Sequence, residues 1–155
     1  MNTSLENIGL IEIEVGDEGA KHLAEALKVN TSLKEIYLPS NKIDDEGAKH
    51  LGEALKVNNT LKVINLRINN IGDKGAKHFA EALKMNTALK EIDLRSNNIR
   101  VEGLKYLAEA LKKNESLKKM KLVQYRNNIG AEEQQMLKGA WLIHRGNTEG
   151  LLLSL

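Results

Sequence analysis

The sequence predicts an α/β solenoid: a right-handed stack of strand–helix units, with parallel strands lining the inside of an arc and helices the outside. Two observations predict it. The first is a repeat. Leu5, Leu33, Leu61, Leu89 and Leu117 are spaced 28 residues apart. Asn2, Asn30, Asn58, Asn86 and Asn114 keep the same phase, as do Ile8, Ile36, Ile64, Ile92 and Met120. So do Leu10, Leu38, Leu66, Leu94 and Leu122. Four columns in phase over five units mark a repeat architecture, in which stacked neighbours bury a continuous core. The second observation is that each unit changes its apolar spacing half-way, from the alternation of a strand to the three-and-four spacing of a helix.

Unit two shows each element in turn. Ile36-Tyr37-Leu38 alternates, as a strand with one face in the core does. Asn41, Asn69 and Asn97 follow successive strands. An asparagine there can turn inward and satisfy backbone groups in the bend. Ile43, Gly47, Leu51, Ala54 and Leu55 then recur at helical spacing and form one buried stripe. The small residues at 47 and 54 let that helix lie close to the strand layer. Lys49, His50, Glu53 and Lys56 fall on the opposite side, towards water. The helix ends at Asn58, a residue type that tolerates the left-handed conformation. Crossovers between parallel strands are right-handed. Strands stack about 4.8 Å apart while helices are about 10–12 Å wide, so the stack must curve with the sheet inside.

The segment Leu33-Lys-Glu-Ile36-Tyr-Leu38-Pro-Ser-Asn41-Lys-Ile43 has the form LxxLxLxxNxI and resembles the leucine-rich repeat family. A 28-residue unit with a full helix is similar to the ribonuclease-inhibitor-like subtype. That resemblance implies a horseshoe arc that binds protein partners through its concave face and rim. The subtype also occurs in the Ran GTPase-activating protein, which implies a second role, accessory to a GTPase.

One domain, 1–155, is expected, with units near 2–29, 30–57, 58–85, 86–113 and 114–146 and a cap at 147–155. Unit one is degenerate, with Ile13 where unit two has Asn41. Its strand edge is open to pairing. A longer array, shielding by Leu10 and Ile11, or the meeting of two copies would each resolve it. A charge at Ile11 should break such a dimer. Unit five carries two extra residues, expected to bulge at Tyr125 and Arg126. A last helix is expected around 132–143. Laying 147–155 over 114–122 gives an incomplete sixth strand with Leu153 and Leu155 inward.

Composition narrows the function. Net charge is +2, with no clustered excess of Lys and Arg, so neither nucleic acid nor an anionic membrane is an expected partner. The absence of cysteine removes disulfides, thiolate metal sites and cysteine nucleophiles. The first ten residues lack a basic region followed by an apolar run, so a signal peptide is not expected and a cytoplasmic location is.

His22, His50 and His78 share one helical column with Tyr106. Equivalent positions on stacked helices lie about a helix width apart, too far for one zinc ion with its roughly 2 Å bonds. A solvated outer face is the expectation, with no metal and no cofactor. GDEGAKH (16–22) returns as DDEGAKH and GDKGAKH, yet lacks a phosphate-loop pattern. Its acids suit a helix start through capping and the helix dipole. Asn-x-Ser/Thr triplets at Asn2, Asn30, Asn58 and Asn114 follow from the repeat itself. The Asp, Glu and His residues recur at equivalent positions, which argues for structural roles and against an enzyme.

The informative positions are those where units disagree on the exposed strand face. One column reads Glu35, Val63, Glu91, Lys119; the next Tyr37, Asn65, Asp93, Lys121; the third Pro39, Arg67, Arg95. Drift on a solvated sheet is the plain explanation. A face shaped for a partner is the alternative, and Tyr37, Arg67 and Arg95 are then the expected anchors, because Tyr and Arg dominate interface hot spots. Glu35, Glu91, Asp93, Lys119 and Lys121 would set charge complementarity, with Lys42, Asp44, Asn70, Asn98 and Arg100 on the rim. The expected function is a non-enzymatic protein-binding scaffold. The alternatives are a GTPase accessory and a self-assembling piece of a longer array.

Overall fold

A computed structural model of the chain describes residues 4–123, 127 and 129–153. Strand and helix alternate throughout: β1 (Asn7–Gly9), α1 (Gly16–Val29), β2 (Glu35–Tyr37), α2 (Asp45–Val57), β3 (Val63–Asn65) and α3 (Asp73–Leu83). Then come α4 (Val101–Leu111) after β4 (Glu91–Asp93), and α5 (Ala131–Arg145) after β5 (Lys119–Lys121), with β6 (Leu151–Leu152) last. The strands form one parallel sheet in chain order. Glu35 pairs with Val63, Val63 with Glu91 and Glu91 with Lys119, so the strands from β1 to β5 meet in the register of the repeat. Each helix packs on its neighbours, and the open arc is a right-handed leucine-rich repeat solenoid.

The core is almost wholly aliphatic. In unit two Ile36, Leu38, Ile43 and Leu51 are fully buried, and their equivalents Ile64, Leu66, Ile71 and Phe79 repeat this in unit three. Each such side chain contributes roughly 1.5–3 kcal/mol by leaving water. Three-residue strands offer few ladder bonds, so other groups must serve the backbone at the two bends.

Two asparagine columns do so. Beyond the strands, Asn69 Oδ1 accepts from the amides of Asn41 (3.1 Å) and Ile43 (3.0 Å) in the preceding unit. Its Nδ2 donates to the carbonyls of Leu38 (2.9 Å) and Leu66 (3.0 Å). Asn97 and Asn41 repeat the pattern. Asn127 joins them across the two-residue insertion, accepting from Ile99 and donating to Leu94 and Leu122. Tyr125 and Arg126 lie outside the described residues.

The second column corrects an expectation. Asn58 is extended (φ −74°, ψ 125°), not left-handed. Its Oδ1 instead accepts from Thr60 and Leu61, and its Nδ2 donates to Leu27 O (2.7 Å), a carbonyl left over at the end of the previous helix. Asn86 and Asn114 repeat this on Leu55 and Leu83. Buried in these bonds, Asn58 and Asn114 offer no free amide for glycosylation.

Gly47 is also small for another reason than the one expected. A methyl group there would meet Asp17 Oδ1 at 2.5 Å and Ala20 Cβ at 3.2 Å, both on the preceding helix. Close approach between helices, not to the sheet, requires the glycine.

Of the three readings of the first edge, shielding does not hold for Ile11, which stands 58% exposed, while Leu10 is half-buried against the core. At the other end β6 pairs Leu151 with Met120, two residues away from the expected register. Because side chains alternate, a slip of two keeps parity, and Leu151 and Leu153 are buried while Leu152 is exposed. Leu155 is outside the described residues. The cause is local. Asn147 is exposed and does not take the buried asparagine position. Arg145 covers one of the partners an asparagine would have there, Asn114 O, and also donates to Leu117 O (2.8 Å each), lying 4.1 Å over the Trp141 ring. The chain then turns through Gly146 (φ 70°) and a tight passage at Gly150, where any Cβ would strike Lys118 O.

Asn69→Ala removes the side-chain partner of three buried backbone groups, Asn41 N, Ile43 N and Leu38 O, while Leu66 O keeps Asn97. It should lower the unfolding free energy by about 3 kcal/mol in urea denaturation. A loss below about 1 kcal/mol would show that water replaces the amide there.

Candidate protein-binding face

Strand alternation sends residues 35, 37 and 39 of unit two, and their equivalents, to the concave surface. Ile36 and Leu38 are fully buried between them, whereas Glu35, Tyr37 and Pro39 are half-buried. Val63, Asn65, Arg67, Glu91, Arg95, Lys119 and Lys121 share that half-exposed placement, and Asp93 is almost fully covered at 1%. The structure brings these eleven residues onto one surface, as three adjacent columns.

Their charges are not equivalent. Towards the C-terminal end they neutralise one another. Arg95 grips Asp93 with two donors, Nε to Oδ1 at 2.9 Å and Nη2 to Oδ2 at 2.6 Å. Lys121 joins Asp93 at 3.8 Å and pairs with Glu91, while Lys119 reaches Glu91 at 3.9 Å. The Asp93 hydrogen bond and charge raise the Arg95 pKa. Arg95 is therefore first a partner for a buried carboxylate, and removing it would leave that charge only the longer contact to Lys121. At the other end Tyr37 donates to Glu35 Oε2 at 2.6 Å.

Arg67 differs. Its neighbour two positions back on the strand is Asn65, a neutral residue whose Oδ1 accepts from the Arg67 amide. No described carboxylate pairs with its guanidinium, and its Nε is covered without a hydrogen-bond partner. Beside it Ile68 holds φ 55° and is 40% exposed. Ser40 and Ser96 share that left-handed turn, but a β-branched residue is strained in it. Sequence reading missed Ile68; the signal was a β-branched residue in a column that reads Glu12, Ser40, Ile68, Ser96.

The rim residues Lys42, Asp44, Asn70, Asn98 and Arg100 are exposed at the loops after the strands. Asp17, Asp45 and Asp73 stand in the first turns of their own helices but bond to the start of the following one. Asp45 Oδ1 accepts from Gly72 N (2.7 Å) and Gly75 N (2.8 Å), at the start of the following helix. Asp73 does the same for Arg100 and Gly103. The amides a phosphate would need are thus already bound to a carboxylate. On the convex side the histidines do not converge. His78 meets Glu53 and Glu81 instead, with ligand atoms within 4.8 Å of one another, and Lys56 Nζ bridges those carboxylates at 2.7 and 3.4 Å. An ammonium already fills the place of a cation.

The family model described as "Leucine Rich repeat" matches residues 29–52, 57–80 and 86–108. This chain is a leucine-rich repeat protein. Among solved structures the repeat arc is similar to a leiomodin-1 domain titled actin-binding site 2, with a TM-score of 0.80 and 23% identity over 94% of this chain and 83% of that one. It is also similar to the C-terminal domain of tropomodulin from Caenorhabditis elegans, with a TM-score of 0.77 and 17% identity over 94% and 87%. At such identities the likeness is one of fold. No curated protein sequence matches the chain. Among the described residues no helix is long and apolar enough to cross a membrane.

The phenol of Tyr37 is held protonated, first by its hydrogen bond to Glu35, then by burial and by the charges of Glu35 and Glu91, so its pKa is raised. A folded value above the unfolded one of about 10 means that this stabilisation is complete below the unfolded value. It is lost as pH rises through the folded value. In an alkaline NMR titration Tyr37 should ionise above the ordinary tyrosine range, and Glu35→Gln should bring it back down. An ordinary titration in the natural chain would mean that the contact does not persist in solution.

Proposed function

We propose that this leucine-rich repeat protein is a non-enzymatic scaffold that holds one protein partner against its concave face, centred on Arg67. The observation carrying this reading is the guanidinium left without a described carboxylate on a face where Glu91, Asp93, Arg95, Lys119 and Lys121 neutralise one another and Glu35 is engaged by Tyr37. A partly desolvated cation of this kind favours a partner carboxylate. Tyr37 and strained Ile68 flank it as contact area, and Pro39, Val63 and Asn65 form an uncharged surround. Glu35 on one side, and Glu91, Asp93, Lys119 and Lys121 on the other, set the charge pattern a partner must match. Arg95 supports this surface through Asp93 and is not itself an anchor.

The leiomodin-1 domain of the same fold is titled an actin-binding site, which makes actin the first partner to test. A photo-crosslinking residue at position 67 or 37 should capture one protein, with purified actin tried before a cell lysate. The same group at Lys105, on the outer helices, should not. Arg67→Ala should weaken the captured complex by roughly 10–100-fold, as loss of a hot spot does, with little change in stability. Equal capture from positions 67 and 105 would sink the proposal.

An apolar groove at the β1 end favours a second reading, the pairing of two copies there. It is lined by Leu5, Ile8, Leu23 and Leu27. Sedimentation should then show a dimer that Leu23→Glu dissociates, and a monomer at high concentration would dismiss it.

A further inference from the structure

A second surface lies on the side of the arc where each helix ends and the next strand begins. Lys34, Lys62, Lys90 and Lys118 stand at one position of four successive units. Their backbones touch: Lys62 N donates to Lys34 O (2.7 Å), Lys90 N to Lys62 O (2.8 Å) and Lys118 N to Lys90 O (2.8 Å). Four side chains therefore rise from adjacent strands at a spacing of about 4.8 Å.

Like charges stacked so closely repel, and none of the four pairs with a described carboxylate; Lys90 Nζ meets only the carbonyl of Thr87. Acids stand at both ends of the row: Glu6 holds the same position in unit one, its carbonyl accepting from Lys34 N, and Glu149 lines a pocket with Lys118. The lysines at the helix ends behave differently. Lys28, Lys56 and Lys112 each pair with a glutamate one turn back. Glu115 lies beside His144 at 3.8 Å.

An independent feature runs along the same loops. Val29, Val57 and Met85 occupy one repeat position and are 57%, 62% and 65% exposed. Four residues separate each from the lysine of its loop, and the asparagine turn folds the two together, as in Asn58 Oδ1 accepting from Leu61 N at 2.8 Å. Between the loops of the third and fourth helices runs an open groove of about 310 Å³, lined by Lys84, Met85, Thr87, Lys113, Glu115 and Ser116 among others, with two lysines to one acid and none of the four row lysines in its lining.

The geometry points to this side as a docking surface for an acidic, extended polypeptide segment with interspersed aliphatic residues. Carboxylates on such a chain match the lysine row, and its aliphatic side chains match the valine and methionine row. A groove cut between two loops admits a chain, not a flat bilayer. It has no aromatic lining on which a nucleobase would stack. The surface is separate from the concave face, and so is its test.

The probe is a fluorescein-labelled peptide, Glu-Glu-Leu-Glu-Glu-Leu-Glu-Glu, titrated with the full chain and read by fluorescence anisotropy. Lys62→Glu with Lys90→Glu should weaken binding at least tenfold, and Met85→Ser several-fold. Lys49→Glu with Lys105→Glu, which changes net charge equally on the outer helices, should leave it unchanged. Lys62→Gln with Lys90→Gln serves if circular dichroism shows the glutamate variant unfolded. Equal affinity in rim and control variants would overturn the proposal. So would tighter binding of phosphatidylserine vesicles or of oligodeoxythymidine through the same lysines. Crosslinking at Arg67 is read separately, so either surface can fail alone.

Discussion

The rest of this structure depends on side-chain amides that bond across the unit boundary. A three-residue strand cannot satisfy the bends on either side of it. Asn69 reaches back to Asn41, Ile43 and Leu38, and Asn86 reaches back to Leu55 and Asn58. Asp45 reaches forward to Gly72 and Gly75. No described unit satisfies its bends alone, although each asparagine also bonds within its own unit. Each is completed by a neighbour one period away, and a change of period would break bonds at both bends together. The insertion in unit five is tolerated because Asn127 still arrives at its place.

That logic also explains what could be read from the sequence. Periodicity revealed which residues are equivalent, and hence the strands, the helices and the buried stripe. It does not reveal which unit an equivalent residue bonds to. Asn58 as a left-handed cap and Asp45 as a cap of its own helix both satisfy the pattern in one dimension. Only stacking shows that the first holds the end of the preceding helix and the second the start of the following one. The cap failed similarly. In Leu151-Leu152-Leu153 the inward parity is legible, but a slip of two is not. It accompanies the loss of the buried asparagine, with Arg145 serving Asn114 O and Leu117 O in its stead.

The candidate face was legible in position and not in state. Alternation placed the three columns correctly, yet Tyr37, Arg67 and Arg95 looked alike as anchors. Their difference lies two residues back on the same strand: Glu35, Asn65 and Asp93. Side chains at i and i+2 share a face, so an acid there consumes the charge of the anchor and an asparagine leaves it free. Taken in such pairs, the three columns distinguish Arg67 by sequence pattern. Ile68 is a different case, because its left-handed backbone follows from the bend and not from its own preference.

A solenoid multiplies whatever stands at a framework position. One lysine at the start of a strand is a surface charge of small consequence; in four stacked units it becomes a row. The same multiplication made the paired helix-end lysines and the exposed Val29, Val57 and Met85. The concave face escapes it because its residues change from unit to unit. The arc therefore offers two kinds of surface. The concave face is irregular, suited to one shape with one carboxylate at Arg67. The side is regular, and each further unit adds a like contact, so affinity there grows with the length of chain engaged. A partner that used both would be fixed by the first and tethered by the second.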